Sequence, residues 1–245
     1  FAYQTNSNQD VVSISPDDRF AVVTEPVLNG LTIVKGYPQW NQIVYEATQS
    51  LNTRPRVVRV GAEIVHGGKR GHLVAMSNPR AASEADGLGS ISIYFVNSEE
   101  IEKQLKDVQR KQAFSHVCTY YFPLSSSDPG HHSMFGDGLY LSDSTVFIAA
   151  SGTGDLFVLE VKGNGGCSAP KKVFQGVPPA STISPGNFLG FSKRARTIYF
   201  GAANVTNGGQ AGPGRVYYYT HCSDHQFLVS NTKKHEYECK ECPDG

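Results

Sequence analysis

Apolar residues along the chain fall in short runs that are separated by clusters of Gly, Asn, Pro and Ser. Short apolar runs bounded by turn residues are typical of β-strands, and continuously apolar ones indicate strands that are buried on both faces. Four segments share one order of elements: a turn, a β-rich run, a loop and a second β-rich run. The first runs are residues 20–23, 71–76, 144–150 and 197–201, and the second runs are 31–34, 90–95, 156–159 and 214–219.

The spacing of these segments is that of a repeat. The equivalent positions Val22, Val74, Ile148 and Tyr199 lie about 52, 74 and 51 residues apart, close to the roughly 40–50 residues of a propeller blade. Each unit has room for four short strands, which is the content of one blade. We therefore predict an all-β fold of β-propeller-like repeats, with four visible units in a small ring or in part of a larger one. A sandwich of two face-packed sheets is the alternative.

The longest interval contains an insertion with a helical pattern. Asn97 is followed three residues later by Glu100, which is typical of a helix N-terminus. The apolar residues Ile101, Leu105 and Val108 then recur at helical spacing. We predict one inserted amphipathic helix over residues 98–112, with its charged side chains on a solvated face.

Charge and composition exclude several functions. Lys+Arg and Asp+Glu both number 22, which argues against nucleic acid or an anionic membrane surface as the partner. No apolar stretch approaches the roughly 18 residues of a membrane helix, so we expect no membrane span in these residues. No phosphate-binding loop, dinucleotide fingerprint, zinc-protease motif or nucleophile elbow is present in the sequence. We therefore expect no cofactor.

Two of the repeats carry a recognisable motif. Phe135-Gly136 before residues 146–150, and Leu189-Gly190-Phe191 before residues 199–203, resemble the FG-GAP repeat of integrin-α-type β-propellers, and Val60-Gly61-Ala62 is a weaker third copy. The resemblance implies an extracellular propeller. Some repeats of that family bind calcium through a carboxylate-rich loop. The corresponding loops here have a single carboxylate (141–144) or are cationic (192–196), so we expect no calcium in these repeats.

The C-terminal tail resembles the start of an ephrin-receptor-like or EGF-like cysteine-rich module. Residues 239–245 read Cys-Lys-Glu-Cys-Pro-Asp-Gly. The predicted domains are therefore a propeller over residues 1–220 and the start of a cysteine-rich module over 221–245. Because the chain begins without Met and stops inside this motif, we expect it to be a fragment of a longer protein.

The five cysteines admit two interpretations. The extracellular resemblance favours disulfides, Cys118–Cys167 and Cys222–Cys239, with Cys242 paired outside these residues. Alternatively, Cys222, His225, Cys239 and Cys242 have the paired spacing of a zinc site. The two interpretations differ in the redox compartment they require.

Other polar motifs carry weaker signals. Asn204 begins the sequon Asn-Val-Thr in a Gly/Asn-rich loop and is the predicted glycosylation site. His131 and His132 lie near Asp128 and Asp137, a grouping that can be catalytic or bind a metal. In a Ser/Gly/Pro loop we interpret these histidines as exposed residues without a catalytic role.

The sequence therefore predicts a non-enzymatic extracellular adhesion or structural protein, such as a subunit of a surface filament or matrix fibre. Its partners would be other copies of itself, other extracellular proteins or glycans. The first alternative is a secreted carbohydrate-binding or hydrolytic propeller enzyme. The second is a scaffold with zinc bound by the C-terminal Cys and His residues.

Overall fold

The structure is a computed structural model of the chain. It describes residues 11–25, 30–35, 43–47, 57–78, 89–102, 114–122, 135–150, 155–163, 165–174, 184–192, 197–203, 206–207, 210–211, 215–220, 226–231 and 236–241. These residues belong to two compact units, Phe1–Gly176 and Val177–Gly245. The described part of the chain is all-β apart from one short helix, which confirms the predicted fold class.

The first unit contains three four-stranded antiparallel sheets, which we call blades 1 to 3. Blade 1 is β1 (Val11–Ile14), β2 (Phe20–Glu25), β3 (Gly30–Lys35) and β4 (Ile43–Ala47); blade 2 is β5 (Val57–His66), β6 (Lys69–Asn78), β7 (Ser90–Asn97) and β8 (Phe114–Tyr121); blade 3 is β9 (Phe135–Ser142), β10 (Thr145–Ala150), β11 (Asp155–Glu160) and β12 (Lys171–Phe174). In each blade consecutive strands are neighbours. The first strands touch one another, β1 with β5 and β5 with β9, as they do where propeller blades meet near a central axis.

The second unit contains β13 (Ser184–Ser192), β14 (Thr197–Ala203), β15 (Thr206–Asn207), β16 (Gln210–Ala211), β17 (Arg215–Thr220), β18 (Gln226–Asn231) and β19 (Glu236–Glu241). Strands β13, β14 and β17 form one antiparallel sheet, while β15–β16 and β18–β19 are separate pairs. The fourth repeat predicted from the sequence corresponds to β14 and β17. The predicted domain boundary after residue 220 stays a prediction.

The two middle strands of blade 2, β6 and β7, are buried on both faces along most of their length, as their continuously apolar sequences predict. Successive side chains of a strand point to opposite faces. In β6, Val74 and Met76 join the core shared with blade 1, and Leu73 and Ala75 join the core shared with blade 3. The first core contains Phe20, Val22, Leu31, Ile33, Val58, Val60, Val74, Met76, Val96 and Ile101.

The helix α1 (Ser98–Glu102) begins directly after β7. The Asn97 side-chain oxygen accepts a hydrogen bond from the Glu99 N–H at 3.0 Å, which satisfies one free donor of the first turn. Ile101 is buried in the core between blades 1 and 2. Residues 103–112 of the predicted helix lie outside the described residues.

The Phe-Gly motif of blade 3 requires glycine for a steric reason. Gly136 has φ of +88°, and a Cβ at this position would lie 2.5 Å from the Cβ of Ser77 in blade 2. The Ser77 hydroxyl also donates a hydrogen bond to the Gly136 carbonyl. The motif therefore allows the backbones of neighbouring blades to approach closely.

We expect Gly136→Ala to lower the free energy of unfolding by more than about 1 kcal/mol, because alanine adds both strain and a clash. Urea denaturation measures this loss. The control is Gly163→Ala, where an added Cβ meets nothing within 4 Å and φ is not positive. Equal stabilities of the two variants would contradict the steric argument.

Candidate functional site

Two carboxylates and one imidazole meet where blade 1 faces blade 2. Asp17, Glu63 and His72 each offer one donor atom, and these atoms lie within 4.8 Å of one another. Asp17 belongs to the turn between β1 and β2, Glu63 to β5 and His72 to β6. We call these three residues the carboxylate–imidazole cluster. Within the described part of the chain no other such group of three potential metal ligands is found.

A β-bulge in β5 aligns two members of the cluster. Val60 pairs with Val74 and Glu63 pairs with His72, so β5 has one residue more than β6 in this interval. Side chains directly opposite each other in an antiparallel pair lie on the same face of the sheet. Glu63 and His72 therefore share the blade 2 face that also carries Val60 and Val74 and faces blade 1.

The bulge also fixes the His72 ring. The Gly61 carbonyl lies 2.9 Å from Nδ1 of His72, and because a carbonyl only accepts, Nδ1 carries a proton and donates it. Phe20 packs edge-on against the ring with centroids 5.1 Å apart. The side chain is fully buried, 0% exposed.

The other ring nitrogen has no hydrogen-bond partner. Nε2 of His72 lies 3.2 Å from Oδ2 of Asp17, yet it makes no hydrogen bond. Leaving a buried polar atom without any partner costs about 1–3 kcal/mol, and here the Asp17 carboxylate at 3.2 Å offsets part of that cost electrostatically. Such atoms are uncommon in folded proteins and call for a physical explanation, of which a functional role is one.

The β1–β2 turn presents Asp17 to this nitrogen. The N–H of Asp18 donates to the Ser15 carbonyl at 2.9 Å, and the N–H of Arg19 donates to Oδ1 of Asp17 at 3.3 Å. Asp18 has φ of +58°, a conformation that Asp tolerates better than most residues. These bonds leave Oδ2 of Asp17 facing His72.

The pKa of Asp17 is lower than its ordinary value. Burial by itself raises this pKa, but the Ser15 hydroxyl, the charge on His72, and the N–H and charge of Arg19 together lower it. Asp17 is therefore a carboxylate at neutral pH.

Arg19 bridges the two carboxylates. Its Nε lies 3.3 Å from Oδ2 of Asp17 and its Nη1 lies 3.1 Å from Oε1 of Glu63. The Ser98 hydroxyl at the start of α1 donates to the same Glu63 oxygen at 2.9 Å. The side chains of Asp17 and Glu63 are 32% and 30% exposed, and that of Arg19 is 44% exposed. The cluster is thus open to solvent on its carboxylate side and closed at the imidazole.

Among the residues predicted from the sequence, one pair is placed together. Cys118 and Cys167 form a disulfide with Cα atoms 6.2 Å apart, and the expectation of a disulfide is confirmed. Cys239 lies in β19, where its backbone pairs with Leu228 of β18. Other predicted site residues lie outside the described residues: Cys222, His225, Cys242, Asn204, Asp128, His131 and His132. Asp137 is half-buried in β9.

The carboxylate–imidazole cluster was not predicted from the sequence. Its members are distant in sequence, and contiguous catalytic motifs do not include them. One signal was available, since Asp17 stands in the Ser-Pro-Asp-Asp-Arg turn that precedes the first apolar run. The pairing of Glu63 with His72 depends on the bulge, and no pattern in the sequence predicts that bulge.

The described residues include no helix that is both long enough and apolar enough to cross a membrane.

No protein-family model matches the chain, and no curated protein matches it. Among solved structures, the chain is similar to the periplasmic gluconolactonase PpgL of Pseudomonas aeruginosa, with 13% identical residues and a TM-score of 0.44. The similarity covers 97% of this chain and 72% of that chain. At this level it carries no argument about activity or substrate.

The expectation of a non-enzymatic adhesion or structural protein is not kept, because the folded chain brings together ionisable side chains that the sequence does not place side by side. With it we withdraw the filament or matrix fibre, whereas the predicted partners (other copies of the chain, other extracellular proteins or glycans) stay predictions. That expectation depended on finding no catalytic constellation in the sequence. The carboxylate–imidazole cluster is a candidate constellation that forms only in the folded chain.

Proposed function

We propose that the chain is a secreted hydrolase of β-propeller-like fold whose active site is the carboxylate–imidazole cluster with Arg19. The observation that carries the proposal is the buried Nε2 of His72, 3.2 Å from Oδ2 of Asp17 and without a hydrogen bond. A purely structural ion pair gains stability from complete hydrogen bonding. A buried nitrogen without such a bond, beside a solvent-facing carboxylate, fits a site that acts on a bound molecule.

The side chains supply the elements of ester hydrolysis. The oxygen of a water molecule bonds to the ester or lactone carbonyl carbon, the C–O bond breaks, and a proton from the water reaches the leaving oxygen. Asp17 is a partly exposed carboxylate at neutral pH, so it can accept the water proton, although its lowered pKa makes it a weaker base than a free carboxylate. Arg19 places a positive charge where the oxyanion develops. His72 acts as a positioning residue behind Asp17.

The hydrolysis experiment uses a panel of aryl esters, lactones and aryl glycosides, with product release followed by absorbance. We expect turnover of at least one ester or lactone, and a fall of about 100-fold or more in kcat/KM for Asp17→Asn, which is the size of a general-base contribution. The matched control is Asp18→Asn, the neighbouring carboxylate at φ +58°, where Asn is well tolerated. No turnover across the panel, or equal losses for both variants, would overturn the proposal.

Secretion is the second part of the proposal. Its support is the Cys118–Cys167 disulfide, since such bonds persist in oxidising compartments. Four predictions from the sequence belong to this part of the proposal, because each is expected of a secreted protein. They are the Cys222–Cys239 disulfide, a glycan on Asn204, the kinship of the repeats with FG-GAP repeats, and the cysteine-rich module of residues 221–245.

Non-reducing peptide mapping of the secreted protein checks the cysteine pairing. We expect one peptide pair joined through Cys118–Cys167 and a second joined through Cys222–Cys239. Free thiols at Cys222 and Cys239 together with bound zinc would favour the zinc alternative for the tail.

A further inference from the structure

We propose that the carboxylate–imidazole cluster binds one divalent transition-metal cation through Oδ2 of Asp17, a carboxylate oxygen of Glu63 and Nε2 of His72. The inference rests on the proposed function for the use of the ion: with the ion bound, Asp17 would be a ligand, and the ion would activate the attacking water in its place. The binding itself is independent of that function and is tested without turnover.

The state of the His72 ring is the first argument. Its Nδ1–H donates to the Gly61 carbonyl, which leaves Nε2 as the atom directed at Asp17. Histidines that bind metals usually donate the other ring N–H to a carbonyl or carboxylate, because this fixes the tautomer and raises the basicity of the ligand nitrogen. The bulge at Gly61 therefore places His72 in the orientation of a metal ligand.

The spacing of the donors is the second argument. Two donors that each lie about 2.1 Å from one ion are separated by about 3.0–3.4 Å in tetrahedral or octahedral geometry. Nε2 of His72 and Oδ2 of Asp17 are 3.2 Å apart. The buried nitrogen and the carboxylate thus already have the separation of two ligands of one ion, and the Glu63 carboxylate is within 4.8 Å.

The chemistry of the donors selects the kind of ion. One imidazole with two carboxylates suits a first-row divalent cation such as Mn²⁺, Fe²⁺ or Zn²⁺ better than Ca²⁺, which prefers oxygen ligands alone. Three protein ligands leave coordination positions open for water, as in catalytic metal sites. The partly exposed carboxylates provide the entry path.

Arg19 competes with the ion. Its guanidinium contacts the same carboxylates, at 3.3 Å from Asp17 and 3.1 Å from Glu63. An ion that binds both carboxylates must displace this positive charge. Removing the charge should therefore strengthen metal binding, although it removes two ion pairs.

The experiment is a Mn²⁺ titration followed by electron paramagnetic resonance of the free ion. Mn²⁺ is the probe because it disfavours thiolates, so the cysteines of the tail do not contribute. We expect one ion per chain, and binding weakened about tenfold or more in Glu63→Gln, Asp17→Asn and His72→Gln. The matched controls are Glu99→Gln in α1 and His66→Gln in β5, both outside the cluster, which should bind as the unaltered chain does.

Arg19→Gln gives the sharpest result. We expect it to bind Mn²⁺ about fivefold more tightly, the effect of removing one unit charge near the ion. If the cluster is only an ion-pair network, Arg19→Gln will not bind Mn²⁺ more tightly, and this result would overturn the proposal. Equal binding by the cluster variants and the controls would do the same.

Two measurements keep the outcomes separable. Circular dichroism identifies variants that do not fold. If the buried His72→Gln variant does not fold, the Mn²⁺ affinities of Glu63→Gln and Asp17→Asn test the metal site without it. Mn²⁺ binding without any hydrolysis contradicts the proposed function and supports the metal site. Hydrolysis that survives chelation, in a chain that binds no Mn²⁺, supports the function and overturns the metal site.

Discussion

Replacing Cys118 and Cys167 together by serine is expected to lower the free energy of unfolding by about 4 kcal/mol. The two cysteines are 49 residues apart in sequence, and closing a loop of this length removes that much conformational entropy from the unfolded chain. Cys118 lies in β8 of blade 2, and Cys167 follows β11 of blade 3 and forms an isolated bridge with Val161. The bond therefore joins two blades.

Guanidinium denaturation of the oxidised chain and the double variant measures this difference. Tyr120 contacts the same segment, because its hydroxyl donates to the Cys167 carbonyl at 3.0 Å. Tyr120→Phe is the control that loses this hydrogen bond and keeps the disulfide, with an expected loss of about 1 kcal/mol. Equal denaturation midpoints of the double variant and the oxidised chain would refute the prediction.

Phe157→Ala is expected to lower the free energy of unfolding by about 3–5 kcal/mol, the range for removing a large buried aromatic side chain. Phe157 is 1% exposed in the core between blades 2 and 3. Its ring packs edge-on against Phe135 and Phe122, with centroids 5.4 and 5.8 Å away. Alanine would leave a cavity that neither ring can fill.

Urea denaturation again supplies the measurement, with two comparisons. Phe157→Leu keeps most of the volume and should lose less than Phe157→Ala. Tyr121→Ala removes an aromatic ring that is 49% exposed, and it should change stability by less than about 1 kcal/mol. A loss for Phe157→Ala no larger than that for Tyr121→Ala would show that this core does not hold the blades together.

The sequence predicted the two middle strands of each blade better than the others. The apolar runs 71–76 and 90–95 fall within β6 and β7, which are buried on both faces. The outer strand β8 is mostly partly exposed, and the inner strand β5 mixes buried and exposed positions. Their apolar pattern is correspondingly weak, because the hydrophobic signal in a sequence follows burial.

The candidate site was beyond sequence reasoning for a physical reason. Asp17, Glu63 and His72 are ordinary polar residues in a turn and two strands, and only the contact of blade 1 with blade 2 brings them together. The pairing of Glu63 with His72 further depends on one extra residue at the bulge. The Cys118–Cys167 disulfide, by contrast, could be predicted from two facts alone: both residues are cysteines, and the expected compartment is oxidising.

The central claim is that the fold assembles Asp17, Glu63 and His72 into a metal-binding site. A crystal structure of the chain grown with Mn²⁺, with anomalous diffraction data, tests it most directly. We expect one strong anomalous peak about 2.1 Å from Nε2 of His72 and from oxygens of Asp17 and Glu63, with Arg19 turned away from both carboxylates. An anomalous map with no peak at the cluster, and with the Arg19 guanidinium still bridging Asp17 and Glu63, would contradict this claim.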